Sequence, residues 1–419
     1  MNSVQRIVVV PGEEIGEVNP YLHGHFAEHL GELVYPGICV PPEGPIPNTN
    51  GIRNDVVEAL KPLGIPVLRW PGGCFGDDYH WRDGIGPVEG RPLRVNRYWG
   101  MTEETGQFGT HEFVRFCRAL GAEPYFAANV GSGSPGEMRD WVEYCNFAGR
   151  STLADERRAN GEEAPFGIRY WGIGNENWGC GGNLSPEHYA EEYCRFRTYV
   201  SDYSGTQVEG IACGQNNADW DWTRRFFEHM RRHYGNRLRM VQGYAAHYYC
   251  GTAGSATNYT DAQWLELLAK AYAIEGVISG CRSLMDEYDP ERRIRLLFDE
   301  WGAWHPVEEG KPTRGLYQQN TMRDACVAAL TMDLFHNHCE KLFMANIAQL
   351  INVLQAVLLV EEDRCIKTPT YHVFDLYRPH KGARAVRLVT YAEEVTDGGP
   401  SAEWCRSRYL ERRLFGLRA

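Results

Sequence analysis

The chain has 419 residues, 43% of them apolar and 23% charged, and its formal net charge at pH 7 is −12. This composition is typical of a soluble globular protein with a large core, and the negative charge argues against a surface that binds nucleic acid. The start of the chain does not read as a signal peptide, and no stretch reaches the roughly 18 to 20 apolar residues of a membrane span, so we expect a cytoplasmic protein.

Along the chain, short apolar runs that end in polar or glycine-rich loops alternate with amphipathic segments. The runs begin at Tyr21, Gly64, Glu123, Arg169, Gln207, Arg239, Ile294 and Lys341. One helix between them is predicted to be capped by Ser185, with Pro186 at its first position. Another is predicted to open at Ser134 and to close on Gly149. Alternating strands and helices predict a parallel sheet, and eight units predict a closed (β/α)8 TIM barrel.

Cysteines are scattered through the predicted helices and strands, and they number 13. An odd number without CxxC pairs matches neither a disulfide framework nor the usual spacing of a zinc site. We therefore expect most of these residues to be reduced thiols in the core.

The ends of the apolar runs are unusually polar, and in a barrel of this kind the C-terminal ends of the strands carry the chemistry. The residues found there are Glu28, His29, Cys74, Asn129, Asn175, Glu176, Asn216, His247, Tyr249, Asp299, Glu300 and Asn346. Carboxylates, amides, a histidine and a tyrosine together are typical of a site that binds hydroxyl groups around a pair of carboxylates.

Glu176 and Glu300 end the fourth and the seventh run, and the barrel brings both to one face. Cleavage of a glycosidic bond needs two such carboxyl groups, one to protonate the leaving oxygen and one to attack or to activate water. Each glutamate stands near a tryptophan, Trp178 or Trp301, whose ring can stack on a sugar face. The alternative for either glutamate is a helix cap or an ion pair, but their joint occurrence at strand ends favours catalysis.

For each of four further strand-end residues, two roles are considered. Glu28 is assigned to a substrate hydroxyl, and the alternative is an ion pair with Arg69. Asp299 directly precedes the second glutamate, so in a regular strand its side chain points to the opposite face, which favours a role in orienting neighbours over direct attack. His247 is either a sugar contact or a hydrogen-bonded histidine of the barrel mouth. Cys74 has no base beside it in the sequence, which favours packing or a hydroxyl contact over a nucleophilic role.

A metal or nucleotide site is not indicated. The segment HGHFAEH does not match the HExxH spacing, and in a strand His23 and His25 share one face while Glu28 lies on the other. Glycine clusters such as GSGSPG lack the lysine of a phosphate-binding loop and the GxGxxG order of a dinucleotide site. We therefore expect no metal and no nucleotide cofactor.

Several longer blocks follow one another between Phe26 and Tyr377, and they include HFAEHLGELVYPGI, LRWPGGCFGDDYHWRDGIGP, NVGSGSPGEMRDWVEYCN, YWGIGNENWGCGG, AAHYY, LLFDEWGAWH and MANIAQLINVLQA. In content and in order they resemble glycoside hydrolase family 51, the retaining α-L-arabinofuranosidases. A single short block such as GNE also occurs in related barrel glycosidases, whereas the ordered series is specific.

The resemblance implies that Glu176 is the general acid/base and Glu300 the nucleophile of a double displacement. It also implies a pocket for one furanose ring, lined by Glu28, Cys74, Asn175 and Tyr249, with His247, Asp299 and Asn346 close by. Retention of configuration then requires carboxyl groups about 5 to 5.5 Å apart, with the pKa of Glu176 raised and Glu300 ionised. Cys74 departs from the family, because many members carry asparagine there.

By the same resemblance, residues 1–18 give a strand to a C-terminal β-sandwich, residues 19–377 form the catalytic barrel and residues 378–419 form the sandwich region. Family members continue further into that sandwich. The last stretch, SAEWCRSRYLERRLFGLRA, is arginine-rich and lacks the alternation of sandwich strands, so we expect a partial, truncated sandwich. The family also implies a homo-oligomer, a hexamer.

The sequence thus predicts an exo-acting enzyme that releases terminal α-L-arabinofuranosyl groups from arabino-oligosaccharides, arabinan or arabinoxylan fragments without a metal. One alternative is an endo-β-1,4-glucanase or xylanase of the same family, which needs an open cleft. The other is a non-catalytic carbohydrate-binding protein with an incomplete sandwich. The presence of both glutamates favours the enzyme, and neither nucleic acid nor membrane is an expected partner.

Overall fold

Residues 6–232, 237–308, 310 and 315–391 are described by the computed structural model. The strands are β1 (Arg6–Glu17), β2 (Gly24–Phe26), β3 (Asn48–Thr49), β4 (Ile52–Arg53), β5 (Val67–Trp70), β6 (Arg94–Asn96), β7 (Thr102–Glu104), β8 (Glu123–Ala128), β9 (Tyr170–Ile173), β10 (Glu209–Asn216), β11 (Gly243–Tyr249), β12 (Arg295–Gly302), β13 (Leu342–Ile347), β14 (Leu358–Glu361), β15 (Arg364–Lys367) and β16 (Arg384–Tyr391). The α-helices are α1 (Asn54–Leu60), α2 (Thr110–Leu120), α3 (Pro135–Asn146), α4 (Thr152–Ala159), α5 (Pro186–Thr198), α6 (Trp220–Arg232), α7 (Asp261–Tyr272), α8 (Ile274–Tyr288), α9 (Met322–Asn337) and α10 (Pro369–Tyr377).

Parallel strands close into a barrel in the order β2, β5, β8, β9, β10, β11, β12 and β13. Each of them begins within one of the apolar runs of the sequence, so the predicted (β/α)8 TIM barrel is confirmed. The barrel closes where β13 pairs with β2, with Asn346 opposite Gly24 and Ile347 opposite His25. Because the strands are parallel, their C-terminal ends meet at one rim.

Side chains alternate between the inside of the barrel and the layer beneath the helices. The inward residues that form one buried cluster are Val67, Tyr125, Tyr170, Ile211, Ala245, Leu297 and Met344. The residues that follow two of them point outward: Phe126 stacks on Trp141 of α3 with ring centres 4.9 Å apart, and Trp171 meets the same ring edge-on at 5.2 Å. This period of two is the ordinary geometry of a strand.

Helix starts follow the predicted caps. The Ser185 side chain accepts a hydrogen bond from the third backbone N–H of α5, which begins with Pro186, and Ser134 caps α3 in the same way. Helix α3 ends at Asn146, short of the predicted Gly149, because the next residue is already extended. In the part of the chain that the structure describes, no helix has both the length and the apolar character needed to cross a bilayer.

Strand β12 carries an irregularity near its C-terminal end. Phe298 lies opposite Ala246 of β11, and the next paired residue, Glu300, lies opposite His247. Asp299 is therefore an extra residue, and the pairing of β12 with β13 shifts at the same place. A β-bulge of this kind re-aims the side chains beside it, and such bulges are common next to active sites.

Strand β1 lies outside the barrel and pairs antiparallel with β16, from Arg6 opposite Tyr391 to Glu17 opposite Arg384. The N-terminal strand thus joins the C-terminal part of the chain, as a TIM barrel with a C-terminal sandwich domain requires. The domain limits at residues 18 and 377 stay a prediction. The arginine-rich segment and the expected truncation concern residues 392–419, which lie outside the described residues.

Candidate active site

The polar strand ends meet around one buried arginine, Arg69 on β5. It points into the barrel because Val67, two residues earlier, does so as well. Its Nη1 donates to Oε1 of Glu300 over 2.8 Å, and its Nη2 donates to Oδ1 of Asn175 over 2.6 Å. The guanidinium also lies 4.5 Å above the ring centre of Phe26. With only 1% of its surface exposed, Arg69 places a fixed positive charge at the floor of the site.

The Gly-Asn-Glu turn after β9 has a backbone that glycine favours. Gly174 has φ of 90° and Glu176 has φ of 42°, and residues other than glycine adopt such values mainly at functional sites. A Cβ on Gly174 would lie 2.2 Å from Oδ1 of Asn177, so this position requires glycine. The turn presents the Glu176 side chain to the rim of the barrel.

Asp77 ties this turn to its neighbour. Oδ2 of Asp77 accepts the backbone N–H of Asn175 at 3.0 Å, and Oδ1 accepts those of Val130 and Gly131 at 2.9 and 2.8 Å. Burial raises the pKa of Asp77 to about 7, although the three N–H groups oppose the rise. The carboxyl group thereby joins the loop after β8 to the turn that carries Glu176.

Glu176 faces Glu300 across the site. Nδ1 of His247 lies 3.0 Å from Oε1 of Glu176 and 3.6 Å from Oε2 of Glu300. One oxygen of each glutamate and one ring nitrogen of His247 lie within 4.8 Å of one another. Retaining glycosidases hold their two carboxyl groups about 5 to 5.5 Å apart, so this spacing allows one to attack while the other protonates. The same three groups are of the kind that binds a divalent cation.

The two glutamates have opposite electrostatic surroundings. Burial raises the pKa of Glu176, and the charge of Glu300 adds to the rise, while the hydrogen bond with His247 opposes it. Burial acts on Glu300 too, but the charges of His247 and Arg69 and a 2.8 Å hydrogen bond from Tyr249 outweigh it, so the pKa of Glu300 is lowered. Glu300 is therefore the ionised partner, and Glu176 is the better proton donor.

Glu28 lies deep in the same site, just after β2. Its Oε1 accepts a backbone N–H of the loop after β5 and the indole N–H of Trp99, each at 2.9 Å, and its Oε2 accepts the amide of Gln349 at 3.0 Å. The alternative expectation, an ion pair with Arg69, is wrong, because Arg69 pairs with Glu300 instead. Burial, together with the charge of Glu300, raises the pKa of Glu28 to about 7. Three donors fix this carboxyl group in place, and its expected contact with a substrate hydroxyl stays a prediction.

Asp299 does not point away from Glu300, as the alternation of a regular strand predicted. Both carboxyl groups reach Arg69, because the bulge turns them to the same side; Oδ2 of Asp299 lies 3.6 Å from Nε of Arg69 and accepts the hydroxyl of Tyr125 at 2.6 Å. Asn346 is fully buried and donates to Oδ1 of Asp299 at 3.4 Å. Asn346 thus supports Asp299, which in turn orients Arg69, and the expected place of Asn346 near the sugar stays a prediction.

The aromatic surface also differs from the predicted one. Trp301 is 1% exposed and packs edge-on against Phe335 of α9, with ring centres 5.4 Å apart, so stacking on a sugar is wrong for this residue. Trp178 is half-buried, and its indole N–H donates to a backbone carbonyl of β10 at 3.2 Å. Trp304, three residues beyond Trp301, is 37% exposed and lies edge-on to Tyr249 with ring centres 5.1 Å apart. Trp304 is thus an exposed ring next to the site.

Cys74 is bonded to Cys180 and is therefore not one of the reduced thiols, while its expected place in the pocket lining stays a prediction. The disulfide joins the loop after β5 to the turn after β9, and the Cys180 sulfur lies 3.6 Å from Oε2 of Glu176. The ten free cysteines of the described residues, eight of them buried, fit the predicted core thiols.

Several residues of the site were not predicted, because the sequence analysis considered only the ends of the strands. Arg69 was named only as an alternative partner of Glu28, although counting in twos from the apolar Val67 places it inside the barrel. Asp77, Trp99 and Gln349 come from loops, whose conformation follows no period. Only their contacts in the folded chain reveal them.

Known proteins share this arrangement of sequence and fold. A family model described as "Alpha-L-arabinofuranosidase 1 domain" matches residues 59–261, and one described as "Alpha-L-arabinofuranosidase C-terminal domain" matches residues 299–405. A protein of Bacteroides ovatus named intracellular exo-α-L-arabinofuranosidase is 45% identical over 395 residues, which span 93% of this chain and 76% of the relative. The chain belongs to glycoside hydrolase family 51.

Solved structures of arabinofuranosidases agree with this assignment, and one of them is described as family 51. The arabinofuranosidase from Xanthomonas axonopodis pv. citri matches with a TM-score of 0.89 and 42% identity, over 94% of this chain and 80% of that chain. The α-L-arabinofuranosidase from Thermotoga maritima, an arabinose complex, matches with a TM-score of 0.82 and 32% identity, over 94% and 77% of the two chains. The resemblance seen in the sequence is confirmed, and the protein is a glycoside hydrolase.

Proposed function

We propose that this family 51 chain is a retaining exo-α-L-arabinofuranosidase, which hydrolyses terminal non-reducing α-L-arabinofuranosyl groups. The observation that carries the proposal is the pair of facing glutamates, with one oxygen of Glu176 and one of Glu300 within 4.8 Å of each other. An inverting enzyme instead needs roughly 6.5 to 9.5 Å between its carboxyl groups to admit water. The substrate class is supported by the name of the Bacteroides relative and by the arabinose in the Thermotoga complex.

The reaction proceeds in two displacements. In the first, the Glu300 carboxylate attacks the anomeric carbon while Glu176 gives its proton to the leaving oxygen. In the second, the Glu176 carboxylate takes a proton from water, which attacks the same carbon and breaks its bond to Glu300. Two inversions at one carbon restore the original configuration. Hydrogen bonds of 2.8 Å from Arg69 and from Tyr249 hold Glu300 in place throughout.

The sugar hydroxyls meet side chains that the protein has already oriented. Oδ1 of Asn175 is taken by Arg69, which leaves its Nδ2 to donate to a hydroxyl near the anomeric carbon. Such a hydrogen bond strengthens as charge develops on the sugar. Glu28 offers a buried carboxyl group to a second hydroxyl, and the exposed ring of Trp304 offers a face to the departing group.

The electrostatics of the pair predict a bell-shaped dependence of kcat/KM on pH. Activity is lost at low pH as Glu300 binds a proton, and at high pH as Glu176 releases one. Because the pKa of Glu300 is lowered and that of Glu176 is raised, the range between the two limbs is widened. A single titrating limb in the free enzyme contradicts this division of roles.

The test is hydrolysis of 4-nitrophenyl α-L-arabinofuranoside with and without azide. Glu176→Ala should still form the covalent sugar–Glu300 intermediate, because the departing nitrophenolate needs little protonation, and azide should then displace Glu300 and release a retained arabinosyl azide. Glu300→Ala should give the inverted azide, because azide then replaces the nucleophile itself. Each variant alone should lose at least about 100-fold in turnover. Glu89→Ala, which removes an exposed carboxylate, serves as the matched control.

The outcomes separate the two parts of the proposal. If azide products form with the configurations exchanged between the variants, the assignment of acid/base and nucleophile is reversed. If the folded wild-type enzyme leaves arabinofuranosides intact but cleaves another glycoside, the substrate class is wrong while the carboxylate pair stands.

The proposal extends to location and assembly. We place the enzyme in the cytoplasm, where it acts on imported arabino-oligosaccharides, and the word intracellular in the name of the Bacteroides relative supports this placement. We also propose a homo-oligomer, with a hexamer as the expected form. Size-exclusion chromatography with light scattering gives the mass directly, and the mass of a single chain contradicts the proposal.

A further inference from the structure

The disulfide at the pocket mouth borders directly on the proton donor. Cys74 and Cys180 stand 106 residues apart in sequence, with Cα atoms 5.5 Å apart, and each is half-buried. The sulfur atoms of both cysteines and one carboxylate oxygen of Glu176 lie within 4.8 Å of one another. Nδ2 of Asn175 lies 3.8 Å from the Cys180 sulfur, and Nδ1 of His247 lies 3.0 Å from the other oxygen of Glu176.

The disulfide prevents Cys74, Cys180 and Glu176 from binding a metal together, because thiolates, and not bonded sulfurs, are the metal ligands. Cysteine thiolates and glutamate carboxylates are both ligands of zinc, which takes a water molecule as the fourth ligand in open sites. Zinc–sulfur bonds of about 2.3 Å place two bound sulfurs roughly 3.8 Å apart in a tetrahedral site. Rotation about the Cα–Cβ bonds of Cys74 and Cys180 reaches that separation without moving the backbone, since their Cα atoms are already close.

We propose that reduction of the Cys74–Cys180 disulfide creates a site for a thiophilic divalent cation, with zinc as the probe, between the two thiolates and the Glu176 carboxylate. A water-soluble phosphine gives two electrons to the S–S bond, which breaks. The phosphine becomes its oxide by taking the oxygen of one water molecule, and the two hydrogens of that water complete the two thiols. Zinc then displaces the thiol protons to the solvent.

The bound cation switches off hydrolysis, a consequence that rests on the proposed function. A carboxylate oxygen coordinated to zinc no longer holds the proton that the leaving group needs. The disulfide therefore has a protective role, because the oxidised enzyme lacks the two thiolates that soft cations prefer. The metal-free reduced enzyme keeps both glutamates and is inhibited only when the cation is added.

A second possible ligand set in the same pocket offers a competing explanation for inhibition by zinc. One oxygen of Glu176, one oxygen of Glu300 and a ring nitrogen of His247 also lie within 4.8 Å of one another. This set is present whether or not the disulfide is intact. Inhibition by zinc that is equal in oxidised and reduced enzyme therefore belongs to the carboxylates and His247, and it overturns the proposal.

The experiment uses the full chain in both redox states, freed of reductant by gel filtration under nitrogen. Thiol titration of unfolded samples should show two more thiols after reduction. Zinc retained after a second gel filtration is measured by atomic emission, and hydrolysis is measured in parallel. We expect one tightly held zinc and loss of hydrolysis in the reduced enzyme only. No change in thiols, or no zinc in the reduced enzyme, overturns the proposal.

Matched variants assign the ligands. Cys180→Ala and Cys74→Ala, each compared with the reduced wild type, should bind zinc at least about 100-fold more weakly, since even the outer partners of a metal site are worth about 10–100-fold. Cys365→Ala removes a half-buried thiol of β15 far along the chain and should keep the zinc response of the wild type. Zinc binding that survives both of the first two variants, or that leaves hydrolysis intact, overturns the assigned ligands. Zinc content is measured directly. The metal site can therefore be tested even if the enzyme does not hydrolyse arabinofuranosides.

Discussion

Replacement of Arg69 by methionine tests how the site keeps its negative charges. Arg69 is 1% exposed and donates to Glu300 at 2.8 Å, with Asp299 at 3.6 Å. At an effective dielectric constant of about 20, a positive charge roughly 4 Å from a carboxylate stabilises its ionised form by about 4 kcal/mol. Methionine fills much of the same space without charge, so it leaves two buried carboxylates without their counter-ion.

Two measurements follow from this loss. In urea unfolding, Arg69→Met should lower the free energy of unfolding by about 3–5 kcal/mol, the usual effect of removing one partner of a buried ion pair. In enzyme kinetics, the pKa of Glu300 should rise by about 1–3 units. The acid limb of kcat/KM should then move to higher pH by the same amount, while the alkaline limb, which Glu176 sets, moves less.

Arg69→Lys is the control, because it keeps the charge but loses the second arm that holds Asn175. It should shift the acid limb less than Arg69→Met does and still lower turnover. The reasoning is refuted if Arg69→Met unfolds within about 1 kcal/mol of the wild type and keeps the acid limb unmoved. In that case the charge of Glu300 is maintained by another group.

Three further changes test the surroundings of the site and of the barrel. Asp77→Asn can set an amide N–H against the backbone N–H of Asn175, so we expect the free energy of unfolding in urea to fall by about 1–3 kcal/mol and turnover to slow. If neither quantity changes, Asp77 does not hold the turn that carries Glu176. Trp304→Ala should raise KM for arabino-oligosaccharides and leave the melting temperature unchanged, and an unaltered KM argues against sugar contact. Burial lowers the pKa of His23 to about 2 and that of His336 to about 4, so below about pH 6.5 the unfolded chain binds protons that the folded chain does not. Stability should therefore fall as pH drops from about 6.5 to 4, by about 3 kcal/mol per histidine, and unfolding free energies that stay flat over this range contradict the expectation.

The barrel could be predicted because its signals are local. A buried strand needs only a few consecutive apolar residues, and a helix start such as Ser185-Pro186 needs only a cap and a fixed φ. The alternation of the two element types then leaves few topologies. Strand ends at one rim follow from that topology, which is why Glu176 and Glu300 could be paired although they lie far apart in sequence.

The supporting contacts could not be predicted, because they depend on which loops meet. Asp77 reaches Asn175 from another loop, and Trp99 reaches Glu28 from the β6–β7 hairpin. The disulfide between Cys74 and Cys180 has the same origin, since both residues follow strands that are not sequential neighbours in the barrel. Nothing in the spacing of 13 cysteines distinguishes this pair from the buried thiols.

Two predictions on β12 were wrong, the direction of the Asp299 side chain and the sugar stacking of Trp301, and both errors have one physical cause. Leu297 faces the barrel interior, so a regular strand would turn Asp299 inward, Glu300 toward the helices and Trp301 inward again. The extra residue in the ladder shifts this alternation by one position. It brings Glu300 to Arg69 beside Asp299, and it sends Trp301 outward against Phe335. Because a bulge is defined by pairing with neighbouring strands, β12 alone does not reveal it. The same irregularity that misplaced Trp301 in the prediction is what gives the site its ionised glutamate.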